Sequence, residues 1–280
     1  MRRAPRIVAI CVAAALLPGV AAAKPQRILS MNQCADLMVL QLVSKPRVAA
    51  VTYLARDGAQ ALFPGAADGI PVNYGTPEDI IKFKPDLILA GDFSTAVTRR
   101  LAREVGAPIV EMKSTRSFDD VRRTLRQVGA AVGEPARAEA LIREMDVRLA
   151  ELAARPPARP VRVVAWEGGA TVPGMDTFAN RIITAAGAVN IAAQPGSFYT
   201  GFDVERLLEA DPDALLFGGD GKPLLQNDEA RHRVVRRVFA GRRIGYPEVA
   251  FSCGLPQSAT AAVDLRRALD ALPPRPERRR

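Results

Sequence analysis

Histidine is almost absent from this chain, which limits the chemistry that the protein can perform. The 280 residues contain one histidine, His232, and it stands between two arginines. A metal site built on imidazoles is therefore nearly excluded, because such sites draw their nitrogen ligands from histidine. The sequence also lacks a nucleophile elbow, a phosphate-binding loop and a carboxylate pair at a recognisable catalytic spacing. No motif in the chain identifies an enzyme.

Cysteine and aromatic residues are also scarce. There are three cysteines, and Cys11 lies in an apolar N-terminal run, which leaves Cys34 and Cys253 for the rest of the chain. Two cysteines permit one disulfide in an oxidising compartment, but they are too few to define a disulfide framework from their spacing. Aromatic residues make up only 5% of the chain, so a place where several of them gather is informative.

The first 23 residues have the composition of a secretory signal peptide. A basic segment, "MRRAPR", precedes the apolar run "IVAICVAAALLPGV", and "AAA" at residues 21–23 is a small-residue cleavage site. The apolar run is too short to span a bilayer comfortably. We expect cleavage after residue 23 and export to the periplasm by the general or the twin-arginine route. A lipid anchor is not expected, because neither Gly nor Ala precedes Cys11.

The charge of the chain is positive. It falls from +9 to +6 when residues 1–23 are removed, because that segment carries three arginines and no acidic residue. Much of the remaining positive charge lies at residues 231–243 and in the tail "RPERRR". We interpret these runs as a solvated helix face and a frayed terminus, and we expect no nucleic-acid partner. Attraction to an anionic membrane or solute stays an alternative.

A repeat is the most informative feature that the sequence does contain. Residues 77–92 read "PEDIIKFKPDLILAGD", and residues 204–220 read "VERLLEADPDALLFGGD". In each copy a glutamate (Glu78, Glu205) opens a helical turn, and a Pro-Asp pair begins seven residues later, at Pro85 and Pro212. An apolar run that ends in Gly and Asp closes both copies. The repetition in the same order predicts two lobes of the same construction.

Around these copies, apolar runs of strand length alternate with helical segments, which predicts parallel sheets covered by helices. Residues 134–156 differ, because their apolar residues are spaced by three and four along one helix of roughly 20 residues. This stripe consists of Ala138, Leu141, Ile142, Met145, Leu149 and Leu152. We therefore predict an α/β protein of two similar lobes with parallel sheets, at residues 24–133 and 157–280, joined by this one long rigid helix. A ligand cleft is expected between the lobes, and "EVAFSCG" near residue 250 is expected to be a strand.

Four stretches of the chain resemble the periplasmic solute-binding proteins of the cobalamin and ferric-siderophore ABC importers, in which a rigid helix joins the lobes. They are "RILSMNQCADLMVLQL", "GTPEDIIKFKPDLILAGD", the helix from Glu134, and "TAAGAVNIA" with "GFDVERLLEADPDALLF". The resemblance covers essentially the whole chain after residue 23. It implies a monomer that captures a small-molecule metal chelate, needs no cofactor and no protein-bound metal, and delivers the chelate to an ABC permease dimer in the inner membrane.

The resemblance also assigns a role to the two repeated glutamates. In this family one glutamate on each lobe docks against arginines of the permease, and the matching positions are Glu78 and Glu205. A glutamate in the first turn of a helix is favoured by ~0.3–1 kcal/mol without any partner, so one copy alone would carry little meaning. Both copies keep the glutamate although their neighbours differ, with Asp79 in one and Arg206 in the other. We therefore expect both glutamates to dock on a two-fold related surface.

The candidate solute site lies at the ends of the predicted strands. Open α/β sheets bind ligands beyond the carboxyl ends of their strands, and aromatic residues at such ends suit large flat solutes. Ordinary core filling is the alternative for each aromatic residue. The resemblance adds Phe198 and Tyr199, in the loop before Glu205, and Arg56 is placed to meet an anionic chelate. The candidate cleft residues are Asn32, Tyr53, Arg56, Phe93, Trp166, Phe198 and Tyr199.

Cys34 and Cys253 follow predicted strands of opposite lobes and face the predicted cleft. A disulfide between them would tie the lobes together across the cleft. Two thiolates would instead hold a soft metal or a metal complex. Buried, unreactive cysteines require neither a disulfide nor a metal, and we place this interpretation first of the three.

The sequence favours a binding protein over its alternatives. An exported α/β enzyme without a recognisable catalytic motif is the second interpretation, and an adhesin or structural pair of lobes is the third. Among solutes, cobalamin suits the aromatic positions, and a ferric siderophore suits the positive charge and Arg56. Heme needs a His or Tyr ligand, for which only Tyr53 and Tyr199 are placed. The sequence does not choose among these solutes.

Overall fold

The computed structural model describes residues 23–92, 95–166, 171–218 and 232–273. The predicted signal peptide, apart from Ala23, lies outside these residues. Within the described ranges, no helix combines the length and the apolar character that crossing a bilayer requires.

The N-terminal lobe is built on five parallel strands. Its elements are β1 (Ile28–Ser30), α1 (Gln33–Leu42), a 3-10 turn (Lys45–Arg47), β2 (Val48–Thr52), α2 (Ala55–Leu62), β3 (Val72–Asn73), α3 (Pro77–Phe83), β4 (Leu87–Gly91), α4 (Ala96–Glu104), β5 (Ile109–Met112) and α5 (Phe118–Ala131). The strands lie in the order β3-β2-β1-β4-β5, and every neighbouring pair is parallel. The direction of winding reverses between β1 and β4, which is where doubly wound sheets bind ligands.

One helix of 20 residues, α6 (Pro135–Ala154), connects the lobes. Glu134 is its N-cap and proline occupies its first turn, a position where proline costs no hydrogen bond. Four residues of the predicted stripe are buried, and the other two, Leu149 and Leu152, are half-buried against the same core. The helix packs on α5 and on α11 (Gln257–Asp270), the last of the described helices, so both lobes hold it.

The C-terminal lobe has a second parallel sheet. Its elements are β6 (Val161–Trp166), β7 (Thr171–Pro173), α7 (Phe178–Ala185), β8 (Ala188–Asn190), β9 (Tyr199–Gly201), α8 (Val204–Ala210), β10 (Ala214–Gly218), α9 (Arg233–Val238), β11 (Arg243–Tyr246), α10 (Glu248–Ser252) and α11 (Gln257–Asp270). The order β11-β10-β6-β8 is parallel throughout, and β7 and β9 form a separate antiparallel pair. The predicted fold, two α/β lobes with parallel sheets joined by one long helix, is confirmed.

The prediction of a strand at "EVAFSCG" is wrong, because these residues form helix α10. Val249, Ala250 and Phe251 are buried, and Pro247 begins the helix as its N-cap. An apolar run of this length reads as a buried strand or as a buried helix with equal ease. The helix covers Glu248–Ser252, and Cys253, which follows it, returns to an extended backbone.

Helices α3 and α8, which begin the two copies of the repeat, end in the same way. Each ends on a residue other than glycine with a left-handed backbone, Lys84 with φ 44° and Asp211 with φ 42°. These are the only two such residues in the described part of the chain. Each stands directly before the proline of the repeat, where the α conformation is disfavoured, and a left-handed residue is the usual way to end a helix.

The aspartate of each Pro-Asp pair also has the same partner in both lobes. Asp86 accepts a hydrogen bond from the backbone N–H of Arg27 at 2.9 Å, and Asp213 accepts one from that of Arg162 at 2.8 Å. The guanidinium groups of both arginines donate to the last carbonyls of α3 and α8, respectively. The Pro-Asp pair therefore recurs because it joins a helix end to the first strand of each lobe.

Candidate functional site

A cavity of about 380 Å³ lies between the two lobes, at the carboxyl ends of the N-terminal strands. The residues after β1, β4 and β5 form its N-terminal wall. The start of α7, strand β9 and helix α10 form its C-terminal wall. Its size is that of a small-molecule site. The lining includes Asn32, Cys34, Asp92, Lys113, Ser114, Thr115, Phe198, Tyr199, Glu248 and Gly254.

The N-terminal wall lies at the reversal point between β1 and β4. Asn32 caps α1, and its side-chain oxygen accepts hydrogen bonds from the N–H groups of Cys34 and Ala35. Gly91 ends β4, and a Cβ there would lie 3.1 Å from the amide nitrogen of Asn32, so a larger residue would crowd the cap. The next residue, Asp92, accepts hydrogen bonds from the N–H and the hydroxyl of Ser114. These contacts fix the loop after β5 against the end of β4.

Two aromatic residues form part of the C-terminal wall. Phe198 and Tyr199 are 54% and 56% exposed, respectively, and both line the cavity as predicted positions of the cleft. Tyr199 begins strand β9, which is paired with β7. An exposed aromatic ring at a cavity wall offers apolar contact area to a solute.

Trp166 does not line the cavity, in contrast to the prediction. It is 2% exposed, and its indole N–H donates to the carbonyl of Phe202 at 2.7 Å. The side chain packs in a cluster with Val172, Leu207 and Phe239 on one face of the second sheet. Trp166 was predicted to face the cleft because it ends a strand, β6. Its side chain instead fills the hydrophobic core of the second lobe.

Two more of the predicted cleft residues lie elsewhere on the N-terminal lobe, and one is not described. Tyr53 follows β2 and stacks on Tyr74, which follows β3, with ring centroids 5.8 Å apart. Both rings are exposed at the edge of the sheet that holds the cavity, but neither residue lines it. Arg56 is exposed in the first turn of α2 and also stands outside the lining. Phe93 lies outside the described residues.

The lobes are covalently linked beside the cavity. Cys34 and Cys253 form a disulfide with Cα atoms 5.1 Å apart. The interpretation of the two residues as buried, unreactive thiols is therefore wrong. The disulfide was one of the two other interpretations, and the sequence could not select it because 219 residues separate the partners.

Two aromatic contacts join the lobes near the disulfide. The guanidinium of Arg116, in the loop after β5, lies 4.9 Å from the ring centroid of Phe198. Phe118 and Phe178 meet edge to face with centroids 5.2 Å apart. An arginine over an aromatic face is attracted by the ring quadrupole, so the Arg116 contact crosses the space between the lobes at the aromatic wall.

Sequence reasoning missed two charged residues of the site, Lys113 and Glu248. Lys113 on the N-terminal wall and Glu248 on the C-terminal wall line the cavity, and both side chains are exposed. The signal for Lys113 is its place directly after a strand of the first sheet, the same rule that selected Asn32. The same rule does not select Glu248, because Glu248 is the first residue of a segment that was predicted to be a strand, and the rule applies to carboxyl ends.

The repeated glutamates occupy equivalent places in the structure. Glu78 and Glu205 are each the second residue of a helix, α3 and α8, and both side chains are exposed. Thr76 and Asp79 form a capping box at the start of α3, and the side chain of Asp203 caps α8. These side chains therefore cap α3 and α8, and neither glutamate is needed to cap its helix. Neither glutamate side chain has an ion-pair or hydrogen-bond partner among the described residues.

One carboxylate is buried behind the N-terminal wall. Asp36 lies in α1 and is 0% exposed. Burial raises its pKa from 3.8 to about 6, while hydrogen bonds from Ser30 and Thr52 oppose part of that rise. The Thr52 bonds connect α1 to the end of β2.

Two α/β lobes on one rigid helix, with a small-molecule cavity between them, define a binding protein of the two-lobed type. The family model "periplasmic binding protein" matches residues 30–242, and the chain belongs to this family. A curated relative, an uncharacterized ABC transporter substrate-binding lipoprotein, YvrC, of Bacillus subtilis, is 25% identical over 149 residues, which are 50% of this chain and 47% of that protein. The chain thus spans about half the length of the curated relative it matches.

Solved structures share the fold over nearly the whole chain. The periplasmic heme-binding protein RhuT of Roseiflexus is 22% identical, with a TM-score of 0.70 over 87% of this chain and 97% of that one. The periplasmic vitamin B12 binding protein BtuF of Vibrio cholerae is 18% identical, with a TM-score of 0.66 over 88% of this chain and 97% of that one. At such identities the likeness establishes the fold.

Proposed function

We propose that this chain is the solute-binding component of an ABC importer. It captures a small-molecule metal chelate such as cobalamin or a ferric siderophore and delivers it to the permease dimer in the inner membrane. The observation that carries the proposal is a cavity walled by both lobes at the strand ends where such sheets bind ligands. The protein acts as a monomer in the periplasm after residues 1–23 have been removed.

The walls of the cavity supply the contacts that a chelate of this kind needs. Phe198 and Tyr199 offer apolar surface to a flat or greasy face. Lys113 and Glu248, on opposite walls, offer a donor and an acceptor to amide, hydroxamate or carboxylate groups at the edge of the chelate. Heme and vitamin B12, for which the two similar solved structures are named, are both metal chelates.

A chelate larger than the cavity extends over the edge of the N-terminal lobe. There Tyr53 and Tyr74 present a stacked pair of exposed rings, and Arg56 stands close by in the chain. We assign Tyr53 and Arg56 to the part of the solute that protrudes from the cavity. Tyr53 and Tyr199 are also the side chains that would ligate heme iron.

The two exposed glutamates are the residues that dock on the permease. Glu78 and Glu205 occupy the same turn of equivalent helices in two lobes of the same construction. A permease made of two equal halves presents the same basic group twice. Charge-assisted hydrogen bonds from two arginines would fix the orientation of the binding protein over the entrance.

The experiment that tests the function replaces Glu78→Lys and Glu205→Lys together. In cells that lack the wild-type chain, we expect uptake of labelled cyanocobalamin or ferric siderophore to fall to background. The purified double variant is expected to bind the same solute with unchanged affinity, because neither residue lines the cavity. Uptake by this variant at the level of the wild type would overturn the docking role.

A matched control carries the same change of charge outside the first helical turns. Glu104 and Glu209 are exposed on α4 and α8. The pair Glu104→Lys and Glu209→Lys is expected to support uptake like the wild type. Loss of uptake in this control would attribute the effect to net charge instead of to the positions of Glu78 and Glu205.

A further inference from the structure

The two lobes contact each other along helix α1 beside the cavity, and we call this boundary the seam. The Cys34–Cys253 disulfide lies at one end of the seam, and the contact of Gln41 with Gln257 lies at the other. Cys34 lies in the first turn of α1, and Cys253 directly follows α10. Cys34 and Gly254, the residue next to Cys253, both line the cavity. Cys253 is 1% exposed and packs into the main hydrophobic core. The disulfide is therefore part of the cavity wall and is fixed to the core behind it.

The other end of α1 contacts both the connecting helix and the second lobe. The side-chain oxygen of Gln41 accepts a hydrogen bond from the amide of Gln257, at the start of α11, at 2.6 Å. The backbone carbonyl of Gln41 accepts one from the guanidinium of Arg137 on α6. At 1.5 Å per residue, this end of the seam is about 10 Å from the disulfide along the helix axis.

The two lobes are in full contact beside the disulfide. A Cβ built on Gly254 would lie 2.2 Å from Oγ1 of Thr115 and 2.6 Å from its Cβ. Thr115 belongs to the loop after β5 in the N-terminal lobe, and it also lines the cavity. A side chain at position 254 therefore requires the loops or the lobes to move apart.

The connecting helix holds the two lobes on one side only, whereas a second covalent link away from that helix also limits their separation on the side of the cavity. A protein that spends only part of its time in the binding-competent arrangement binds with correspondingly lower apparent affinity, and preorganisation restores that loss. We propose that the Cys34–Cys253 disulfide fixes the opening of the cleft and thereby determines solute affinity. The oxidised protein presents a preformed cleft, and the reduced protein opens along the seam and binds the same solute more weakly. This inference rests on the proposed function.

Reduction with dithiothreitol is a defined perturbation of this seam. One thiolate of the reagent attacks a sulfur of the disulfide and releases the other cysteine, and the second thiol of the reagent then resolves the mixed disulfide. The reagent leaves as a cyclic disulfide, and the two cysteines gain two electrons and two protons. Cys34 and Cys253 are the only cysteines after residue 23, so no other disulfide is affected within the exported chain.

The opening of the cleft is measured first, without solute. Lys82 and Glu209 are exposed and hold equivalent places in the repeat, on α3 and α8. Spin labels attached there through genetically encoded ketone residues report the distance between the lobes by electron–electron double resonance. We expect a narrow distribution in the oxidised protein, and a broader and longer one after reduction or in the Cys34→Ser, Cys253→Ser variant. Identical distributions, with circular dichroism showing that all samples are folded, would overturn the inference.

Affinity is measured next, by calorimetry with cyanocobalamin and with ferrichrome, a ferric hydroxamate. For the probe that binds, we expect the Kd to rise about ten-fold on reduction and in the serine variant. Gly254→Ala should weaken binding in the same direction although its disulfide is intact. Gly245→Ala on the edge strand β11 is the matched control, because a methyl group there makes only ordinary contacts, at 3.5 Å from the ring of Phe217, and its Kd should not change.

The outcomes separate this inference from the function on which it rests. A Kd that stays within two-fold when the disulfide is reduced or removed contradicts the inference and leaves the proposed function intact. If neither probe binds the oxidised protein, the proposed function fails for these solutes, and the distance measurement alone decides whether the disulfide sets the opening.

Discussion

Asp36 is a buried carboxylate whose protonation makes the stability of the N-terminal lobe depend on pH. It accepts hydrogen bonds from the backbone N–H and the hydroxyl of Thr52. Burial raises its pKa from 3.8 to about 6, so the folded protein keeps a proton at pH values where the unfolded chain has lost it. The free energy of unfolding therefore falls as pH rises between these two values and is constant, for this group, on either side.

Asp36→Asn removes this titration. Between pH 4 and pH 7, we expect the free energy of unfolding of the wild type to fall by about 2 kcal/mol relative to that of the variant, since each pKa unit corresponds to about 1.4 kcal/mol and part of the change lies below pH 4. Urea unfolding of both proteins, followed by circular dichroism at intervals of one pH unit, measures the difference. Parallel pH profiles would show that Asp36 does not carry this dependence.

At the scale of single residues, the sequence predicted places better than it predicted side-chain directions. Asn32, Cys34, Phe198 and Tyr199 line the cavity. The ends of the predicted strands had marked the first two positions, and the family resemblance had marked the last two. Trp166 stands at a strand end too, yet its ring is buried. Strands of a parallel sheet are covered on both faces, so an apolar pattern does not tell which residue turns inward.

At the scale of elements, the two copies of the repeat share the strained end of a helix. Lys84 and Asp211 hold positive φ angles without being glycine. For an L-residue this conformation costs roughly 1–2 kcal/mol, a cost that glycine does not bear. The Pro-Asp pair that follows, with its arginine partner, holds both residues in place.

Lys84→Gly should therefore stabilise the protein. We expect the free energy of unfolding to increase by roughly 0.5–1 kcal/mol, because the left-handed backbone is relieved and this exceeds the added flexibility of the unfolded chain. Lys82→Gly, two residues earlier inside α3, is the matched control and should lower it by about 1 kcal/mol. Denaturant unfolding of both variants measures the two changes, and an equal loss of stability in both would contradict the strain at Lys84.

Elements with their own start and stop signals were predictable, and short ones were not. The glutamate and the Pro-Asp pair of each copy of the repeat bracket α3 and α8, and the apolar stripe gave α6 its correct place. Strands β3, β7, β8 and β9 have two or three residues each, too few for a period of two to be visible. Helix α10 was mistaken for a strand for the same reason, since its apolar run is short.

At the scale of the whole molecule, the repeat and the alternation of strands and helices predicted two lobes on one helix. The seam between the lobes was beyond reach, because it joins residues far apart in the chain, such as Gln41 with Gln257 and Thr115 with Gly254. Local patterns carry no information about which surfaces of two separate lobes come together. The charged lining at Lys113 and Glu248 follows from the same packing.

The measurement that tests the central claim most directly is a calorimetric titration of the purified protein with cyanocobalamin, ferrichrome and hemin. We expect one of these chelates to bind saturably with one molecule per chain. In the Phe198→Ala, Tyr199→Ala variant its Kd should rise at least about ten-fold, as expected when aromatic contacts in a binding site are lost. Val147→Ala, on an exposed side chain of the connecting helix, should leave the Kd unchanged. Absence of saturable binding by all three chelates, or equal affinity in the aromatic variant, would contradict the account of a chelate held between the two lobes.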